Sequence, residues 1–139
     1  MKNRISEHIQ IRFRDTDAMG HVNNAVYVTY FEMVRIKLFK EIFGLNSSDR
    51  MLSKAPVIAA MNSCNYRIPL FIGTKVKAEC CVSKIGQKSF TIFTEIIGEE
   101  DGTIYADGET VIVFYDYDLK RSTDISQKYR TALQKLSCE

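Results

Sequence analysis

The sequence predicts an α+β domain in which one antiparallel sheet packs on one long helix and a short helix closes the chain. Three observations carry that expectation. Tyr27, Tyr30, Phe31, Val34, Leu38 and Ile42 recur at spacings of three and four, which gives one apolar stripe on a helix. Thr74, Val76, Ala78, Cys80 and Val82 alternate with Lys75, Lys77, Glu79, Cys81 and Ser83, the period of a half-buried strand. Short turns at Gly86-Gln87 and Asp101-Gly102 join the later strands, so these run antiparallel. Packing the sheet face against the helix stripe is the simplest way to bury both.

In chain order, Ile9, Ile11 and Phe13 alternate with Gln10, Arg12 and Arg14, predicting a first strand. The polar stretch from Asp15 to Asn24 interrupts it, and Asp15 reads as a turn residue. A helix over Asn24–Phe43 would be about 30 Å long. Asn23 or Asn24 can cap its start, and Gly44-Leu45 reads as a left-handed stop with its apolar contact. Glu32, Arg35, Lys37, Lys40 and Glu41 fill much of its other face. Asn46–Lys54 reads as a loop. Strands follow over Val57–Ile68, Thr74–Ser83, Lys88–Ile97 and Ile104–Tyr115. Thr123 or Asp124 caps a last helix with Ile125, Tyr129, Ala132, Leu133 and Leu136 on one face.

A chain of 139 residues is the length of one domain, and 1–139 is read as one. Such a chain buries about 68% of its unfolded surface, a core that needs neither disulfide nor metal. The net charge of +2 argues against a nucleic-acid partner. No apolar run approaches the roughly 20 residues of a membrane span. The first eight residues carry no apolar signal segment, so a cytoplasmic location is expected. Cys64, Cys80, Cys81 and Cys138 contain no C-x-x-C pair; they are expected to be reduced, small apolar residues, with no metal site.

Asp17 to Asn24 places a carboxylate, an imidazole and two amides just before a helix N-terminus. The unpaired N–H groups there can hold a developing oxyanion. A nearby carboxylate can activate water or attack a carbonyl itself. The same residues also suit turns and caps.

The run Asp15-Thr16-Asp17-Ala18-Met19-Gly20-His21-Val22-Asn23-Asn24-Ala25-Val26-Tyr27 resembles the signature of hotdog-fold acyl-CoA thioesterases of the 4-hydroxybenzoyl-CoA thioesterase-like family. Tyr30–Arg35, Tyr66–Leu70, Gly73–Val76 and Ile85–Phe90 are similar to further parts of that family, and the resemblance covers roughly residues 5 to 117. It implies a hotdog fold, with a long central helix wrapped by a curved antiparallel sheet. It implies a homodimer, or a tetramer of two such dimers, with active sites at the dimer interface. Asp17 takes the place of the catalytic nucleophile or general base, and the N–H near Asn24 that of the group polarising the thioester carbonyl. The His-Val-Asn-Asn run resembles plant acyl-carrier-protein thioesterases, and leaves His21 either assisting water or ordering the loop. Asn23 is a cap with a contact to Asp17 or water, and Tyr27 lies on the wall of the acyl pocket.

Glu32 is either half of a surface ion pair with Arg35 or a second carboxylate near the thioester. Lys84 and Lys88, and also Lys75 and Lys77, are candidates for coenzyme A phosphates or simply solvated lysines. Phe90, Phe93, Tyr105, Phe114 and Tyr115 are expected in the core or the dimer contact. The function so implied is hydrolysis of a small or medium acyl-CoA to acid and coenzyme A. Coenzyme A belongs to the substrate, and no cofactor is expected. The competing readings are a thioesterase for acyl-carrier protein, a non-catalytic binder of acyl-CoA or acyl-carrier protein, and a hotdog dehydratase or hydratase.

Overall fold

The computed structural model describes residues 3–44 and 55–139. The elements are β1 (Ile5–Ile9), a 3-10 turn (Phe13–Asp15), α1 (Val26–Phe43), β2 (Val57–Asn62), β3 (Asn65–Tyr66), β4 (Val76–Ile85), β5 (Ser89–Gly98), β6 (Ile104–Asp116), β7 (Arg121–Ser122) and α2 (Gln127–Lys135). They form one curved antiparallel sheet in the order β1-β4-β5-β6-β2, with β3 and β7 also on β6. β4, β5 and β6 are the expected meander.

α1 buries its whole expected stripe, from Tyr27 to Ile42, in a core shared with Ile9, Val76, Ala78, Ile92, Ile96 and Ile112 of the sheet. Gly44 ends it at φ 68°, with its N–H on the Lys40 carbonyl. That left-handed conformation suits a residue without Cβ. The Leu45 contact and the Asn46–Lys54 loop lie outside the described residues. Phe90 and Phe114 are core residues, whereas Phe93, Tyr105 and Tyr115 are half-buried.

The first strand stops at Ile9, and Phe13 is 81% exposed rather than continuing the alternation. Asp15 causes the turn that follows the strand. Its carboxylate accepts the Arg12 backbone N–H at 3.0 Å and turns the chain into the 3-10 turn. Asp15 itself is 3% exposed and also accepts the Tyr30 hydroxyl at 2.7 Å and Arg12 Nη2 at 3.3 Å. Burial pushes its carboxyl up, but the Arg12 N–H, the Tyr30 hydroxyl and the Arg12 guanidinium outweigh it and hold the pKa below the usual carboxylate value.

The segment 57–68 is not one strand. β2 ends at Asn62, and the chain crosses β6 at Ser63, whose N–H reaches the Glu109 carbonyl at 2.8 Å. A Cβ on Gly108 would lie 2.0 Å from the Ser63 carbonyl oxygen, so that crossing needs the glycine. Arg35 is a second departure. It is 8% exposed, and its guanidinium reaches Thr110 Oγ1 at 3.5 Å and Glu32 at 3.4 Å. The expected pair with exposed Glu32 is thus formed, but the Arg35 side chain is buried rather than solvated; a long side chain can lie along apolar surface with its head on polar partners. α2 is capped by Ser126, whose Oγ accepts the Tyr129 N–H, not by Thr123 or Asp124. Those two are still engaged with the sheet: Thr123 N–H bonds to Phe114, and Asp124 accepts from Gln87.

The cysteine expectation is overturned for two of the four. Cys81 and Cys138 form a disulfide, while Cys64 and Cys80 are free. β1 pairs β4 only from Val76 to Cys80. Beyond it the C-terminal tail takes over, with Val82 N–H on the Leu136 carbonyl and Cys138 N–H on the Val82 carbonyl. That pairing brings Cys138 beside Cys81, two partners distant in sequence, which spacing rules for local pairs do not reveal. Cys80 points to α1, and burial pushes its thiol up to about 12, so it is an inert apolar residue as expected.

The disulfide joins residues 57 apart, for which the loop-entropy model gives about 4 kcal/mol. Cys138→Ser should lower the urea unfolding free energy by roughly that amount, and wild-type protein in strong reductant should match it. Asp15 contributes stability that is complete above its unfolded pKa of about 3.9 and is lost as pH falls through its depressed folded value. The unfolding midpoints of wild type and Asp15→Asn should therefore differ most at neutral pH and converge as pH falls below about 4.

Candidate active site

The residues from Asp15 to Asn23 form a small hairpin. Thr16 and Val22 pair across it, the Asp17 N–H reaches the His21 carbonyl at 3.1 Å, and the Asn23 N–H reaches the Asp15 carbonyl at 2.8 Å. Its tip is a turn in which the Gly20 N–H bonds to the Asp17 carbonyl at 3.0 Å. Gly20 has φ 88°, a value that favours glycine. Val22 is buried, with its N–H on the Leu70 carbonyl at 2.8 Å, which fixes the hairpin to the segment before β4.

Asn23 turns the chain into α1. Its Oδ1 accepts the Ala25 N–H at 3.0 Å and its carbonyl accepts the Val26 N–H at 2.9 Å. The helix thus begins at Val26 and is about 27 Å long. Asn24 sits at the mouth of the helix. Its carbonyl accepts the Tyr66 hydroxyl at 3.1 Å, and among the described residues nothing accepts its N–H. A free amide at the positive end of a helix is a ready anion donor.

Asp17 is half-buried. One oxygen accepts the Met19 N–H at 2.9 Å, and the other has no partner among the described residues. His21 Nδ1 lies 3.3 Å from the Val22 carbonyl, which can only accept. Nδ1 therefore carries the proton in that contact and Nε2 is left as an acceptor. The ring packs edge-on to Phe71 at 6.2 Å.

His21, Asn24 and Tyr27 face Tyr66, Arg67, Ile68 and Pro69 across a cavity of about 110 Å³. Tyr27 is buried, with its ring 5.0 Å from that of Tyr66. Arg67 is held by both oxygens of Asp107, at 3.2 and 3.1 Å. Burial raises the Asp107 carboxyl, but the Arg67 and Asn65 hydrogen bonds bring it below its usual value. The cavity is smaller than the roughly 300 Å³ at which ligand pockets begin.

Of the expected site residues, His21, Asn24 and Tyr27 line this cavity, whereas Asp17 and Asn23 belong to the same hairpin and helix start but are not among its lining residues. Glu32 is two turns on, about 12 Å from Asn24 along the axis, exposed and on Arg35. Lys84 and Lys88 are exposed beside the β4–β5 turn. Along β5, Lys88 lies about 25 Å and Lys84, which pairs with Thr91, about 17 Å from Ile96, whose neighbour Ala106 pairs with Tyr66. Within one chain they do not meet the cavity. Lys75 and Lys77 approach Glu100 and Glu79. Tyr66 and Arg67 join the site without a sequence expectation of their own, and the resemblance of the segment Tyr66–Leu70 is the signal that points to them. Among the described residues no group of three His, Cys, Asp or Glu side chains is placed to hold a metal ion.

The model of the thioesterase-like superfamily matches residues 11–133. A protein of Bacillus subtilis, YsmA, is 27% identical over 84 residues, which are 60% of this chain and 54% of that one. The chain thus spans about half the length of the curated relative it matches. Among solved structures, a thioesterase from Thermus thermophilus complexed with coenzyme A and zinc superposes with a TM-score of 0.85 at 26% identity, covering 100% of this chain and 98% of that one. A predicted thioesterase from Bacillus stearothermophilus gives 0.87 at 25% identity, with 98% of each chain covered. With the hairpin, the long helix and every strand of the curved sheet but β1 in the matched region, the chain belongs to the thioesterase-like superfamily and has the hotdog fold.

Proposed function

We infer that the protein is an acyl-CoA thioesterase that cleaves a small or medium acyl-CoA. The observation that carries this is that an Asp17 carboxylate with one oxygen unengaged and a free Asn24 N–H both belong to one short hairpin and helix start. Water adds to the thioester carbonyl, the oxyanion is held by the Asn24 N–H, and the C–S bond breaks. Coenzyme A leaves as the thiol after taking a proton, and the acid is released. Asp17 either takes the proton from water or adds to the carbonyl first and is freed by water. His21 Nε2 is available to the same water. Coenzyme A bound in the Thermus thermophilus relative supports an acyl-CoA substrate over other thioesters. No cofactor enters these steps.

The active unit is a homodimer. β2 ends the sheet, and on it Ile58 and Met61 are each 43% exposed. An uncovered apolar edge strand favours pairing with another strand. A second protomer would also enlarge a cavity too small for an acyl group. No helix among the described residues is long and apolar enough to cross a membrane. A cytoplasmic reaction matches an acyl-CoA substrate. There the disulfide faces a reducing pool; Cys81 is buried, whereas Cys138 is half-buried.

Hydrolysis of aliphatic and aromatic acyl-CoA esters, followed by mass, tests the reading. One class should turn over, and Asp17→Asn should lose about 1,000-fold or more in kcat without loss of fold. Wild-type kcat in that variant refutes the role of Asp17; tight binding without acid release would mark a binding module. Met61→Lys should convert dimers to monomers in sedimentation and reduce turnover with them.

A further inference from the structure

Asp15 is the only buried carboxylate among the described residues. Asp17, Asp101 and Asp116 each accept the N–H two residues on, the ordinary local bond of a turn-forming aspartate. Asp15 instead reaches fifteen residues along the chain to the Tyr30 hydroxyl on α1. Its carbonyl also takes the Asn23 N–H at 2.8 Å. One residue thereby ties the first arm of the hairpin to the helix and to the second arm. Asp17 stands two residues beyond one tie, and Asn24 one residue beyond the other.

We propose that Asp15 and Tyr30 form a positioning clamp that sets the Asp17 carboxylate against the Asn24 N–H. The proposal rests on the thioesterase reading above. A turn alone needs neither the burial of Asp15 nor a bond to the second turn of α1. The clamp sets the height of the hairpin on the helix, because Tyr30 lies about 9 Å along the axis from Asn24. Displacement of a reacting group by about 1 Å can cost about a hundredfold in rate.

The test uses Tyr30→Phe, which removes only the hydroxyl, with Asp15→Asn as the second variant. Steady-state kinetics and amide hydrogen exchange are measured on both. In Tyr30→Phe, kcat should fall about 10- to 100-fold with KM within about twofold. The Asp17 and Asn23 amides, which bond across the hairpin, should exchange faster while those of β5 keep their protection. A purely structural role would lower the melting temperature and leave kcat at 25 °C unchanged, which overturns the clamp. Unchanged exchange at Asp17 and Asn23 overturns it as well, whatever the activity. If wild type hydrolyses no acyl-CoA, the thioesterase reading falls, and the exchange data alone decide the clamp.

Discussion

Helix α1 buries six apolar side chains against one face of a single sheet, and the other features are arranged around that contact. Fully burying a side chain of this size is worth about 1.5–3 kcal/mol, so the contact is too large to be shifted by any one loop. It fixes the helix axis on the sheet, and with it the position of the helix N-terminus. The far end closes on Gly44 and on the aromatic packing of Phe43 with Phe114 and Tyr129. At the near end Asn23 turns the chain into the helix, with its Oδ1 on the Ala25 N–H, and the Asn24 amide between them has no acceptor among the described residues. The anchored helix thus gives the exposed Asn24 N–H a rigid base, which on the thioesterase reading is what a preorganised oxyanion donor requires.

The large-scale design is readable in the sequence because periodicity reports burial directly. The α1 stripe, the alternation through β4 and the turns between β4, β5 and β6 each depend on neighbours within a few residues. The Asp17-to-Asn24 cluster is visible for the same reason: the hairpin, the Asn23 turn and the free amide are all local. Phe13 continues an apolar alternation in the sequence, yet by that point the backbone has turned to meet the Asp15 carboxylate. The end of β1 is set by where β4 begins, at Val76 opposite Ile9, and the turn after it by a hydrogen bond; alternation registers neither.

The other departures come from long-range contacts. Arg35 reads as part of a polar face, but its guanidinium meets Thr110, far along the chain. Cys81 and Cys138 come together because the tail takes the edge of β4 that β1 leaves open. Tyr66 joins the site because the chain breaks from β2 and crosses at Gly108, a position whose need for glycine emerges only when Ser63 is seen against it. A tertiary contact has no period, so the sequence carries the residue without its partner.

The sheet edges complete the connection from fold to function. β1 is short, and Lys37 of α1 donates to its Ser6 carbonyl and approaches Glu7, placing a charge over that edge. The next stretch of β4 is covered by the tail and locked by the disulfide. β2 has neither device among the described residues and carries Ile58 and Met61 outward. Protecting two stretches of edge while leaving a third apolar is costly for a monomer, since an open strand invites aggregation. It is consistent with an edge kept for one partner. The segment that follows β2 is the one that brings Tyr66 to the Asn24 carbonyl, so an occupied β2 edge would stiffen the wall of the site. On the thioesterase reading, assembly and catalysis then share one strand: the edge that pairs two copies leads directly into the residues that close the cavity over the oxyanion donor.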